Sequence, residues 1–89
     1  MKMICVIGAG HVGLVTGACF AELGHHVVCV DIDEAKINSL QGGALPIYEP
    51  DLEPMVHKNM KIHRLSMSTS FEQGLKGADL RGENFYSWE

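Results

Sequence analysis

The chain has 89 residues and 46% of them are hydrophobic, which allows one small domain that buries only about 60–65% of its unfolded surface. Its net charge is −4 and its seven basic residues are scattered, which argues against a nucleic-acid grip or an anionic membrane surface, since both need clustered Lys and Arg. No apolar run approaches the roughly 20 residues of a membrane span, no signal-peptide pattern opens the chain, and three cysteines set singly in apolar surroundings point to a reducing, cytoplasmic setting.

In chain order, residues 3–7 (MICVI) form a short apolar run closed by Gly8, the pattern of a strand buried on both faces. Residues 11–23 are mostly apolar and long enough for a helix, with Gly24 as its C′ residue. Residues 27–30 (VVCV) read as a second buried strand ending at Asp31. Asp33 is placed to cap a short helix that turns Ile37 and Leu40 inward and stops at Gly42-Gly43. After a loop with Pro46 and Pro50, Asp51 is an expected N-cap for a third helix, with Pro54 tolerated in the first turn. Residues 62–67 read as a weaker, more polar strand nearer an edge, and Ser70 to Gly77 as a short helix. Residues 81–89 (RGENFYSWE) show neither helical nor strand periodicity. Strand–helix alternation of this kind predicts an α/β domain with a parallel sheet.

The constellation that carries chemistry is Gly8-Ala9-Gly10-His11-Val12-Gly13, set between a predicted strand and a predicted helix. That is the context of the dinucleotide fingerprint. Gly8 permits the turn out of the strand, Gly10 lets the backbone approach a pyrophosphate, and Gly13 lets the helix lie close to the sheet. The helix N-terminus then offers unpaired N–H groups and partial positive charge to phosphates. Gly17 and Ala21 continue the small-residue stripe at four-residue spacing. Asp31 ends the next strand 18 residues after Gly13, close to the spacing of about 20 that the fingerprint expects. A carboxylate there accepts hydrogen bonds from both ribose hydroxyls and repels a 2′-phosphate, so NAD is favoured over NADP. The plainer alternative is a glycine turn with a strand-end aspartate serving only as a loop cap.

The other candidates point to less. The five histidines have no metal-ligand spacing and read as solvated surface residues. Cys5, Cys19 and Cys29 read as small hydrophobes, with no base or electropositive neighbour to activate a thiolate. No catalytic or metal site is expected.

Residues 3–40 and the segment GALPIYEPDL that follows at 43–52 resemble the start of the UDP-glucose/GDP-mannose dehydrogenase family. The combination of GAGHVGLVTG, VDIDEAKI and LPIYEP is far more specific than a glycine fingerprint alone, and the resemblance extends through about residue 80. It implies a truncated Rossmann-like parallel sheet, the first three strands with flanking helices, in which residues 1–80 are a partial NAD-binding domain and 81–89 a non-matching tail.

The resemblance also implies the chemistry. Members of the family use NAD to oxidise a nucleotide sugar's C6 alcohol to a carboxylate through two hydride transfers and a thioester intermediate. In this chain Gly8, Gly10, Val12 and Gly13 would line the pyrophosphate, Asp31 would hold the ribose, and Lys36 would lie beside the adenosine end. A solvated helix residue is the alternative for Lys36, and a proline-stiffened connection is the alternative for LPIYEP. His11 stands where the family has Tyr. Asp51 follows EP as in relatives acting on UDP-N-acetylmannosamine, while LPIYEP favours UDP-glucose. The family's catalytic Cys, with its Lys and Asn partners, has no counterpart here, so the chain is expected to bind NAD weakly and to be catalytically inactive alone. Without a fourth strand, residues 3–7 would form an apolar edge that invites pairing with another chain, and a non-catalytic interaction module is the alternative function.

Overall fold

The computed structural model describes residues 3–45 and 49–70, together with the backbone of 85–87. The elements in chain order are β1 (Met3–Ile7), α1 (His11–Glu22), β2 (His26–Val30), α2 (Glu34–Gln41), α3 (Leu52–Lys61), β3 (Leu65–Ser68) and β4 (Phe85–Ser87). The four strands among the described residues are parallel, in the order β3-β2-β1-β4. That is the order in which a doubly wound dinucleotide-binding sheet begins. The Rossmann-like α/β class expected from the sequence is the fold observed.

The pattern of burial explains the order. In β1, Ile4, Cys5 and Val6 are all buried, and in β2 so are Val27, Cys29 and Val30. Strands covered on both faces must be interior. β3 instead alternates, with Leu65 and Met67 inward and Ser66 outward, as an edge strand with one solvated face does. α1 and α3 pack side by side, and α3 turns Leu52, Val56 and Asn59 inward at helical spacing. Ile37 and Leu40 of α2 join the same core.

Four expectations need correction. Residues 85–87, part of a tail with no legible periodicity, pair in parallel with Cys5, Val6 and Ile7. β1 is therefore paired on both sides over Cys5, Val6 and Ile7 rather than open along its whole length. The third strand starts at Leu65 rather than residue 62, because Ile62, His63 and Arg64 are spent closing α3. Asp51 precedes α3 but its side chain makes no capping bond; Glu49 C=O accepts from the Leu52 and Glu53 N–H groups instead. Cys19 is exposed, not a core residue. The helix expected at 70–77 lies outside the described residues.

The three helices among the described residues end in the same way. The N–H two residues past each C-cap returns to the carbonyl six residues earlier counting inclusively, His25 to Phe20, Ala44 to Ser39 and Arg64 to Asn59. The residue between adopts positive φ: Gly24 at 102°, Gly43 at 93° and His63 at 63°. This is the Schellman termination, which favours glycine at the left-handed position. His63 is exposed there, and a side chain in that conformation costs about 1–2 kcal/mol. His63→Gly should therefore stabilise the chain by about 0.5–1 kcal/mol once the unfolded-state entropy of glycine is set against the relieved strain. Thermal unfolding should show the gain as a rise of a few degrees in Tm.

Candidate functional site

β1 and β2 run side by side with Ile7 opposite Val30, so the residues that follow each strand emerge at one edge of the sheet. Gly8 N–H donates to Val30 C=O at 2.7 Å, and Gly8 has φ of 102°, which an L side chain resists. The chain then turns through buried Ala9 into Gly10, the N-cap of α1. A Cβ on Gly13 would lie 2.1 Å from the Gly8 carbonyl oxygen. Only glycine lets the helix start so close to the loop it follows.

The mouth of this loop is open. A Cβ on Gly10 would meet nothing within 4 Å, so glycine there leaves free space above the backbone. α1 has no side-chain cap and no acidic residue in its first turn. Its first intrahelical bond is Leu14 N–H to Gly10 C=O, at 2.9 Å. The N–H groups of His11, Val12 and Gly13 precede that bond and have no intrahelical acceptor. Val12 is exposed beside them. These groups and the space over Gly10 fit a pyrophosphate, which needs N–H donors, partial positive charge and no Cβ in the way.

Asp31, the first residue after β2, is the hub of the site. Its Oδ2 accepts from Ala9 N–H at 3.0 Å and from Lys36 Nζ at 3.2 Å, and its Oδ1 accepts from Asp33 N–H at 3.0 Å. The partial burial of Asp31 acts to raise its pKa, but the bonds from Ala9, Asp33 and Lys36 outweigh burial and hold the carboxyl below the usual aspartate value. One carboxylate thus ties the glycine loop, the end of β2 and the first turn of α2 together. Asp33 caps α2 through its side chain, accepting from Lys36 N–H at 3.0 Å. That cap orients the turn from which Lys36 reaches back to Asp31. Ile32, between the two aspartates, is fully outside the core. A cleft of about 380 Å³ runs along α2, lined in part by Asp33, Lys36, Leu40 and Leu45.

The structure therefore gathers Gly8, Gly10, Val12 and Gly13 in one loop and helix start, with Asp31 and Lys36 bonded to each other at its side. The sequence had not revealed the Ala9–Asp31 bond, which joins residues 22 apart. Three further polar side chains brace the surrounding elements. Gln41 donates to Met67 C=O at 2.9 Å, tying α2 to β3. His57 Nε2 lies 2.8 Å from Gly43 C=O, so that ring nitrogen carries the proton and α3 holds the turn after α2. Buried Asn59 donates to Glu22 Oε2 at 2.9 Å and to Met55 C=O at 2.8 Å, and Lys58 pairs with the same Glu22. Each of these bonds joins distant parts of the chain except the last turn of α3, so local pattern could not disclose it. Cys5 and Cys29 are buried, and burial raises both thiols, that of Cys29 to about 12 with Cys5 adding to the effect. They behave as core hydrophobes, as expected.

Residues 2–81 match the NAD-binding domain of the UDP-glucose/GDP-mannose dehydrogenase family. The chain belongs to that family. It is 51% identical over 80 residues to the UDP-glucose 6-dehydrogenase TuaD of Bacillus subtilis, which covers 90% of this chain and 17% of TuaD. Among solved structures, a UDP-glucose dehydrogenase from Pyrobaculum islandicum aligns with a TM-score of 0.81 at 37% identity, over 89% of this chain and 18% of that one. A GDP-mannose dehydrogenase from Pseudomonas aeruginosa, solved as a ternary complex, aligns with a TM-score of 0.80 at 35% identity, over 86% and 18% respectively. The chain spans less than a fifth of the length of these relatives, and the part it spans is the NAD-binding part. NAD is accordingly its cofactor.

Proposed function

We propose that this chain holds the adenosine–pyrophosphate half of NAD for a nucleotide-sugar dehydrogenase that oxidises UDP-glucose to UDP-glucuronate. The observation that carries the proposal is the Asp31 carboxylate, fixed by Ala9 and Asp33 at the end of β2 beside the open start of α1. Gly8, Gly10, Val12 and Gly13 line the pyrophosphate, Asp31 accepts from the ribose hydroxyls, and Lys36 lies at the adenosine end. NAD, when bound, supplies the hydride acceptor; residues 1–80 supply only its seat. UDP-glucose is favoured as the sugar substrate by LPIYEP and by relatives that are UDP-glucose 6-dehydrogenases. The three free cysteines suit a cytoplasmic setting, and among the described residues no helix is long and apolar enough to cross a membrane.

Calorimetric titration of the 89-residue chain with NAD, ADP-ribose and nicotinamide mononucleotide tests the proposal. ADP-ribose should bind within a few-fold of NAD, and the mononucleotide should not bind. The chain with UDP-glucose and NAD should produce no NADH. Binding of the mononucleotide in place of ADP-ribose, or measurable NADH production, would contradict it.

A further inference from the structure

The Asp31–Lys36 pair has a role in cofactor choice that goes beyond holding a ribose. Asp31 is already fixed by the Ala9 and Asp33 N–H groups, so it does not need Lys36 to stay in place. The Lys36 side chain is 35% exposed, and an ion pair that open to solvent contributes little to stability. What the pair does is place a cation against the group that meets the ribose hydroxyls. Lys36 is the only basic residue of α2. The remaining cations of the described residues, Lys58, Lys61 and Arg64, sit at the end of α3 and just before β3. The strands being parallel, that is the opposite edge of the sheet from the site.

Resting on the NAD reading above, we propose that Lys36 is a specificity-determining residue, a built-in ligand for a ribose 2′-phosphate that Asp31 masks. With Asp31 present, a phosphate at the ribose 2′ position meets a carboxylate at hydrogen-bonding range and is repelled. The Lys36 ammonium sits 3.2 Å from that same carboxylate oxygen, at the end of a flexible stem that lets it follow a group placed there. Removing the Asp31 charge leaves the ammonium without its partner, free to make a charge-assisted hydrogen bond to the phosphate. Asp33 and Glu34 are the other charged groups of this turn. Asp33 is committed to capping α2, and Glu34 is the first residue of that helix.

The test is a set of titrations of the chain and of its D31N, K36M and D31N/K36M variants with NAD and NADP. The unaltered chain should prefer NAD. D31N should reverse the preference, binding NADP about tenfold tighter than NAD, and D31N/K36M should lose that gain. NADP binding by D31N no better than by the unaltered chain, or by D31N/K36M as tight as by D31N, would overturn the proposal. Should D31N fail to fold, D31S and D31S/K36M decide with adenosine 2′,5′-bisphosphate and AMP as ligands. D31S should bind the bisphosphate about tenfold tighter than D31S/K36M does, while AMP binding differs little between them, and an equal difference for the two ligands would overturn the proposal. If the unaltered chain binds neither NAD nor AMP, the NAD reading falls and this proposal with it; NAD binding without any gain in D31N removes this proposal alone.

Discussion

Gly13→Ala is expected to destabilise the chain by about 2 kcal/mol or more and to abolish NAD binding. The added Cβ would stand 2.1 Å from the Gly8 carbonyl oxygen and 3.2 Å from its carbon. Both are backbone atoms, so no rotamer change relieves the clash. Gly8 cannot retreat easily, because its N–H is bonded to Val30 C=O and its φ is already 102°. The start of α1 must move outward instead, which costs packing over Val6 and displaces the N–H groups proposed to hold a pyrophosphate. Alanine's helix propensity returns about 1 kcal/mol, and overpacking of a well-filled site costs about 1–3 kcal/mol or more. Here the obstacle is backbone, so the cost wins. Gly10→Ala is the matched control. A Cβ there meets nothing within 4 Å, so stability should change little while NAD affinity falls, because the space it fills is the space a phosphate needs. Denaturant unfolding and NAD titration of the two variants separate the structural glycine from the ligand-facing one.

Asp31→Ala should be the most damaging single change on the other side of the site. It strands the Ala9 N–H, which is buried, and an unsatisfied buried donor costs about 1–3 kcal/mol. It also frees the Asp33 N–H and the Lys36 ammonium. NAD binding should be lost with the ribose acceptor. The same contacts set a pH dependence. The carboxyls of Asp31 and Glu22 are both held below their ordinary values, the latter by its bonds from Lys58 and Asn59. A group depressed in the folded state stabilises it at pH values above the unfolded pKa, and that stability is lost as pH falls through the folded pKa. Unfolding free energy should therefore be level near neutrality and decline below about pH 4. Asp31→Ala should decline less steeply, since the linked proton of Asp31 is gone.

What the sequence disclosed, and what it did not, follows from the range of each signal. β1, β2, α1 and α2 were legible because apolar runs end at Gly8, Gly24 and Gly42-Gly43, and those glycines do the local work expected of them. The Asp31–Lys36 meeting was legible because the two residues are five apart across a single capped turn. β4 was not, since three residues in a polar tail give no period to read, and their strand character comes from pairing with β1, some 80 residues away. The start of β3 was misplaced because residues 62–64 are as apolar-polar mixed as a strand, and only His63 at positive φ marks them as a helix end. Asp31's grip on the glycine loop was hidden for the same reason. A carboxylate that serves a ligand and a carboxylate that anchors a loop look identical in a sequence, and here the side chain that anchors the loop is also the one proposed to serve the ligand.

That dual placement is most directly tested by amide chemical shifts of the isotope-labelled chain as NAD is added. The Ala9, Gly10, Val12 and Gly13 amides, together with those of Asp31 to Lys36, should shift progressively and saturate together, while α3 and β3 stay still. Saturable shifts centred on α3 or β3 with the glycine loop unmoved, or no saturable shifts at all, would contradict the assignment of this loop and carboxylate as the NAD site.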